Sequence, residues 1–220
     1  MGCLRLEIAF EENLNLTGRL LFYCMETGKL FSIGHSNHDL NTFINLLQSN
    51  KVDVVIDVRS YPYSEYSKHF DREKLSLSLK ENGIEYKFMG EGLGGRPKED
   101  EFYDEEGHVL YSKLSESDKF NNDLGIVKVL TSKNHVSLMC SEENPEICHR
   151  HLLIGRVLNK EGIEINYIRK DNSVQFYEEL KSGEKKGSQT TLFGPNKEID
   201  EWKSIRSVSP KKLPKNSLEN

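Results

Sequence analysis

Five short apolar runs recur along this chain, separated by segments whose apolar residues fall at helical spacing. Each run has the length of a strand and is too short to be a helix. Leu30–Ile33 ends at Gly34-His35-Ser36, after which Asp39 or Asn41 can cap a helix with Phe43, Ile44, Leu46 and Leu47 as its stripe. Val52–Val58 is nearly all apolar, as in a strand buried on both faces. A helix from Asp71 to Glu81, stopped by Asn82-Gly83, precedes the run Ile84–Met89. The segment 98–116 is polar and irregular, and a helix over 117–132 precedes His135–Cys140. A helix over 147–160 precedes Ile163–Ile168, and Val174–Leu180 reads as a last short helix. Strands alternating with helices join through right-handed crossovers. The expected class is α/β: an open, mostly parallel sheet of about five strands flanked by helices, Rossmann-like and three-layered.

The 220 residues fit one domain with terminal decoration. Residues 1–24 form an N-terminal extension of different character, and 25–180 carry the single α/β domain. Residues 181–220 are linker and tail: Lys181–Ser188 is rich in Gly, Ser and Lys. Lys203, Arg206, Lys211, Lys212 and Lys215 come next without an acid among them, a basic tail expected to be disordered. No apolar run is long enough to span a membrane. Glu7, Glu11 and Glu12 interrupt any signal-peptide core, and Leu6 stands where N-myristoylation requires Ser or Thr. The expected compartment is the cytoplasm, where four cysteines are thiols first. With a net charge of -5, nucleic-acid binding would need a local basic patch. Nothing in the composition assigns an oligomeric state.

Strand ends on the carboxyl edge of a parallel sheet converge, although they are distant in sequence. The first such loop offers His35 and Ser36, the second Asp57, Arg59, Tyr61, Ser64 and Tyr66. The loop after the fourth strand offers Cys140, Glu142, Cys148, His149 and Arg150, and Gly94-Gly95-Arg96-Pro97 adds an arginine to the same rim. Arg59, Arg96 and Arg150 are planar forks suited to phosphate or carboxylate. Backbone N–H groups add to an anion site if Arg150 opens a helix. The alternative is that Asp57 and Arg59 pair and only hold loops together. Cys140 and Cys148 leave several readings open: a nucleophile with lowered pKa, a reversible disulfide, zinc held with His149 or His35, or small buried side chains. Their spacing matches no tight zinc signature, so no metal ligand and no cofactor is assigned. His69, His108 and His135 are given no role.

Phe31-Ser32-Ile33-Gly34-His35-Ser36, Ile56-Asp57-Val58-Arg59 with Pro62 and Ser64, Leu93-Gly94-Gly95-Arg96-Pro97, and Leu138-Met139-Cys140-Ser141-Glu142 with Cys148-His149-Arg150 occur in that order. This series resembles the domain-of-unknown-function 488 family from about Leu30 to Ile168. The resemblance implies an α/β domain. It also implies a site drawn from His35, Asp57, Arg59, Arg96, Cys140, Glu142, Cys148, His149 and Arg150. The Asp57-Val58-Arg59 run is also similar to a strand of rhodanese-type domains, but their compact Cys-to-Arg loop is absent here.

Beyond the linker, Gln189-Thr190-Thr191-Leu192-Phe193 is similar to the short peptide with which bacterial polymerases and repair proteins dock on the sliding clamp. Leu192 and Phe193 would be the apolar anchors and Gln189 the polar contact. The functional expectation is recognition of, or action on, a nucleotide or nucleic acid in a DNA-associated role. Cys140, Glu142, Cys148, His149 and His35 would carry chemistry, while Ser36, Asp57, Arg59, Ser64, Arg96 and Arg150 bind the ligand. The alternative is a thiol-dependent enzyme acting on a small anionic metabolite.

Overall fold

The computed structural model describes residues 28–184 and 202–208. Residues 1–24 and the Gln189–Phe193 motif lie outside them. Six strands form one sheet: β1 (Leu30–Gly34), β2 (Val54–Asp57), β3 (Glu85–Phe88), β4 (Val136–Cys140), β5 (Ile165–Ile168) and β6 (Val174–Phe176). The spatial order is β3-β2-β4-β1-β5-β6, parallel throughout except that β6 is antiparallel to β5. The helices are α1 (Leu40–Ser49), α2 (Arg72–Glu81), α3 (Tyr111–Leu114), α4 (Asp118–Thr131), α5 (Arg156–Lys160) and α6 (Tyr177–Glu184). A π-helical segment, Arg150–Gly155, runs directly into α5. Among the described residues no helix is long and apolar enough to cross a membrane.

The α/β reading therefore holds, and local chemistry explains where the elements start and stop. Asp39 caps α1 by accepting from Thr42 N at 2.8 Å and from Thr42 Oγ1 at 2.6 Å. Ser117 does the same for α4 through Phe120 N. α2 ends at Asn82, and Gly83 comes next with φ +76°, where a side chain would be strained. Side chains alternate across the sheet. Phe31, Ile33, Val55 and Met139 pack with α1 and α2 on one face. Val54, Ile56, Leu138 and Cys140 pack with α4 and the 150–160 helix on the other.

Neighbouring strands β1 and β4 send the chain in opposite directions, β1 towards β2 and β4 towards β5. Their connecting helices consequently cover opposite faces, which opens a topological switch point at their carboxyl ends. The loops beyond are tied together there: His35 N donates to Cys140 O and Ser36 N to Ser141 O, both at 2.9 Å. A Cβ on Gly34 would overlap the Glu142 carbonyl, so glycine lets the two loops meet.

Three segments differ from expectation. Val174–Phe176 is a strand, not the start of a helix, because the turn at Asp171–Ser173 folds it back on β5; Asn172 takes φ +64° and Asp171 accepts from Ser173 N and Oγ. Within 98–116, Val109, Leu110, Tyr111 and Leu114 are buried and the last two bound α3. The start of the basic tail also packs on the domain. Lys203 pairs with Leu110, Ser204 N donates to Val109 O, and Lys203 Nζ lies 2.8 Å from Asp104 Oδ2. The chain's only tryptophan anchors this strap: Trp202 Nε1 donates to Leu152 O, and the Arg156 guanidinium sits 4.7 Å from its ring centre. Replacing Trp202 with Ala removes a half-buried aromatic and is expected to cost about 2 kcal/mol. Urea denaturation of the full chain measures this; an unchanged midpoint would show that the strap adds nothing to stability.

Candidate functional site

The residues singled out at the switch point fall into two buried clusters and an exposed rim. The first cluster is built on Asp57, the last residue of β2. Its carboxylate is fully buried and accepts from Arg59 N, Arg59 Nε and Arg59 Nη2, the last at 2.6 Å. Tyr86 on β3 donates to it at 2.7 Å. Arg59 Nη2 also reaches Phe70 O, and Arg59 Nη1 lies 3.2 Å from His35 Nε2. Because the guanidinium can only donate, His35 Nε2 is an acceptor there, and its proton sits on Nδ1, which donates to Ser36 O at 2.9 Å. Burial, and next the Arg59 charge, lower the His35 pKa from 6.5 to about 4. His35 is therefore a neutral residue that positions Arg59, stacked on Phe70. Ser36 takes a left-handed φ of +46° at the turn.

The second cluster straddles the loop after β4. Cys140 and Cys148 are buried thiols with no disulfide between them. Glu142 Oε2 lies 2.8 Å from Cys140 Sγ and 3.3 Å from Cys148 Sγ, so the three atoms share the available thiol protons. His149 Nε2 lies 3.0 Å from Val58 O, a carbonyl that only accepts, so Nε2 carries a proton. His149 Nδ1 then faces the sulfurs, 3.9 Å from Cys140 and 3.8 Å from Cys148. A Cβ on Gly95 would collide with the His149 ring, which gives the glycine-rich 90–95 loop a packing role.

Arg150 is 1% exposed and spends its donors internally: Nη1 on Ser32 Oγ at 2.8 Å, Nη2 on Glu142 O, and Nε on Cys148 Sγ at 3.3 Å. A buried cation needs a counter-charge. Burial raises the Cys148 pKa, but the hydrogen bond from Cys140 and the charges of Arg150 and His149 outweigh it, leaving Cys148 well below the ordinary thiol range. Burial, and next the neighbouring Cys148, push the Cys140 pKa well above the ordinary thiol range. Burial lowers the His149 pKa, but Cys148 and then Glu142 beside it outweigh this and raise it.

Two of the three arginine forks read from the sequence are thus committed within the protein. Arg59 is locked to Asp57 and Arg150 to the 142–148 loop. Arg96 is exposed on the rim, its backbone N bonded to Ser60 Oγ at 2.8 Å. Ser64 shapes the loop between β2 and α2, its Oγ accepting from Tyr66 N and Ser67 N. Ser32, Tyr86, Phe70 O and Val58 O complete the clusters without having stood out in the sequence, because each acts through ordinary strand or backbone chemistry. The alternation of β1 alone hints at Ser32, the one polar residue within an apolar strand.

An open α/β sheet with a thiol, imidazole, carboxylate and guanidinium cluster at its switch point defines the class of this protein. The family model described as Domain of unknown function DUF488 matches residues 39–157, more than half of the 220-residue chain, and the protein belongs to that family. No curated protein and no solved structure matches it.

The His35 shift has a consequence for acid stability. Between pH 6.5 and about 4 the unfolded chain binds a proton at His35 that the folded chain does not. The stabilisation from the neutral ring is intact above pH 6.5 and is lost as the pH falls towards 4. Its full size is about 3 kcal/mol. Urea unfolding across this window should show a steeper loss of stability in the wild type than in His35→Asn. Parallel pH profiles would remove His35 as the sensor; Asp57, Arg59 and His69 are the other charged or titratable groups around it.

Proposed function

We propose that the protein recognises or acts on a nucleotide or single-stranded nucleic acid at the carboxyl edge of its sheet, with the Cys140–Glu142–Cys148–His149 cluster as the chemical centre below. The observation that carries this reading is the loop between β2 and α2, where Tyr61, Tyr63 and Tyr66 are 50%, 42% and 95% exposed. The Tyr61 and Tyr63 rings are in contact, tilted 59° to each other with centroids 5.3 Å apart. Nucleic-acid bases stack on such faces whatever their sequence. Arg96, held to Ser60, and Arg72, whose N donates to Pro62 O, are exposed cations flanking the loop and suited to phosphate. Glu65 and Glu73 are exposed among them, so stacking contributes more than charge and the salt dependence of binding should be shallow.

Fluorescence anisotropy with a labelled single-stranded oligonucleotide tests this. Saturable binding is expected to weaken at least tenfold in Tyr61→Ala/Tyr66→Ala, since each stacked base contributes about 1–3 kcal/mol. Equal binding by that variant, or none by the wild type, would defeat the reading. Cys148, with its sulfur 3.3 Å from Arg150 Nε, favours the second reading in that case, a thiol-dependent enzyme on a small anionic metabolite unrelated to DNA.

Recruitment to DNA through a sliding clamp belongs to the same proposal. Gln189, Leu192 and Phe193 stand in the 17-residue stretch 185–201, between α6 and the Trp202 anchor. Titration against a bacterial sliding clamp should give saturable binding that is lost when all three residues are changed to Ala. Retention in that variant, or no binding at all, would reduce the motif to chance.

A further inference from the structure

We propose that Cys140, Cys148 and His149 form a zinc(II) site with three protein ligands and a fourth position open beside Glu142. The inference concerns the buried cluster named above as the chemical centre and does not use the tyrosine loop. The two sulfurs and one imidazole nitrogen all lie within 4.8 Å of one another, with each sulfur 3.8–3.9 Å from His149 Nδ1. Zinc bonds of about 2.3 Å to sulfur and about 2.0 Å to nitrogen set tetrahedral ligand separations of roughly 3.5–3.8 Å, so small shifts suffice to close around the ion.

The surroundings supply what a zinc site needs beyond its ligands. His149 Nε2–H is directed at Val58 O, so Nδ1 is the nitrogen that faces the sulfurs, and it ligates once it has given up any proton it carries. A ligating histidine is commonly oriented by such a backbone carbonyl. Gly95 packs against the imidazole, where a side chain would collide with the ring. Arg150 Nε, 3.3 Å from Cys148 Sγ, can hydrogen-bond a metal-bound thiolate and offset its charge. Two sulfurs with one imidazole favour zinc over the oxygen-seeking Mg²⁺ and Ca²⁺. His35 takes no part, because both of its nitrogens are engaged with Arg59 and Ser36.

Binding requires both sulfurs as thiolates, so Cys140 releases its proton when the metal enters. Glu142 Oε2, 2.8 Å from Cys140 Sγ, is placed to receive it. Three protein ligands would leave one tetrahedral position unfilled, as in a metal site that binds an exogenous ligand, and Glu142 is the carboxylate in contact with both sulfurs.

The test uses the full chain, reduced and stripped with a chelator. Titration with Zn²⁺ against a chromophoric chelator should give one equivalent bound. Co²⁺ in its place should give the thiolate charge-transfer band and intense visible bands of a tetrahedral site. Cys140→Ser and His149→Gln should each weaken Zn²⁺ binding at least a hundredfold, whereas Glu142→Gln should change it less than tenfold. Alkylation of the wild type, read by mass spectrometry, guards against variants that do not fold: Zn²⁺ should slow modification of Cys140 and Cys148 at least tenfold, and chelator should restore it. No bound Zn²⁺ in the folded wild type, tetrahedral bands that survive in Cys140→Ser, or alkylation indifferent to Zn²⁺ would overturn the site. Oligonucleotide binding through the tyrosine loop is read separately and is untouched by either result.

Discussion

The guanidinium of Arg150 is the contact on which the site's architecture depends. It sits where water does not reach and holds three elements at once: Ser32 on β1, the Glu142 carbonyl and the Cys148 sulfur. A buried cation of this kind is tolerated only when its donors are filled and its charge is met. Those demands fix the course of the 141–149 loop and favour negative charge on Cys148, whose pKa the Arg150 charge lowers. A second arginine performs the equivalent task on the neighbouring strand, where Asp57 fixes Arg59 and Arg59 fixes His35. The carboxyl edge is therefore a rigid floor made by two internally neutralised arginines.

This arrangement changes what the edge can recognise. Arginines aimed outwards would make an electrostatic receptor for phosphate, with affinity falling steeply in salt. With the arginines turned inwards, the proposed function assigns recognition to the exposed tyrosines with Arg72 and Arg96, and chemistry to the sulfur, imidazole and carboxylate atoms beneath. Buried thiols are poor nucleophiles unless a cation or metal stabilises the anion. Here Arg150 supplies the cation for one sulfur, and the geometry around His149 Nδ1 suits a metal for both.

Much of the fold was legible because its signals are local. β1 to β5 appeared as short strand-like runs, α1 as an apolar stripe after a cap at Asp39 or Asn41, α2 as a helix stopped at Asn82-Gly83, and α4 as the helix over 117–132. Cys140, Glu142, Cys148, His149 and Arg150 also stood out, since reactive side chains crowd a strand-to-helix turn. β6 did not, because three residues carry too little periodicity and its pairing depends on a turn that folds it back on β5. The strap at 202–208 was hidden by its basic composition. A single tryptophan and a few backbone hydrogen bonds to 107–112 outweigh the polarity that argued for a tail.

By itself the sequence determined the fold class and the set of chemical groups gathered at one edge, since periodicity and capping act over a few residues. Only the tertiary structure decided what those groups do to one another. The strand order sets β1 beside β4, which brings Ser32 within reach of Arg150 across 118 residues of chain. It turns both arginines inwards and aligns one imidazole nitrogen with two sulfurs. Partner choice among buried polar groups is a matter of distance in space, and sequence spacing carries no record of it.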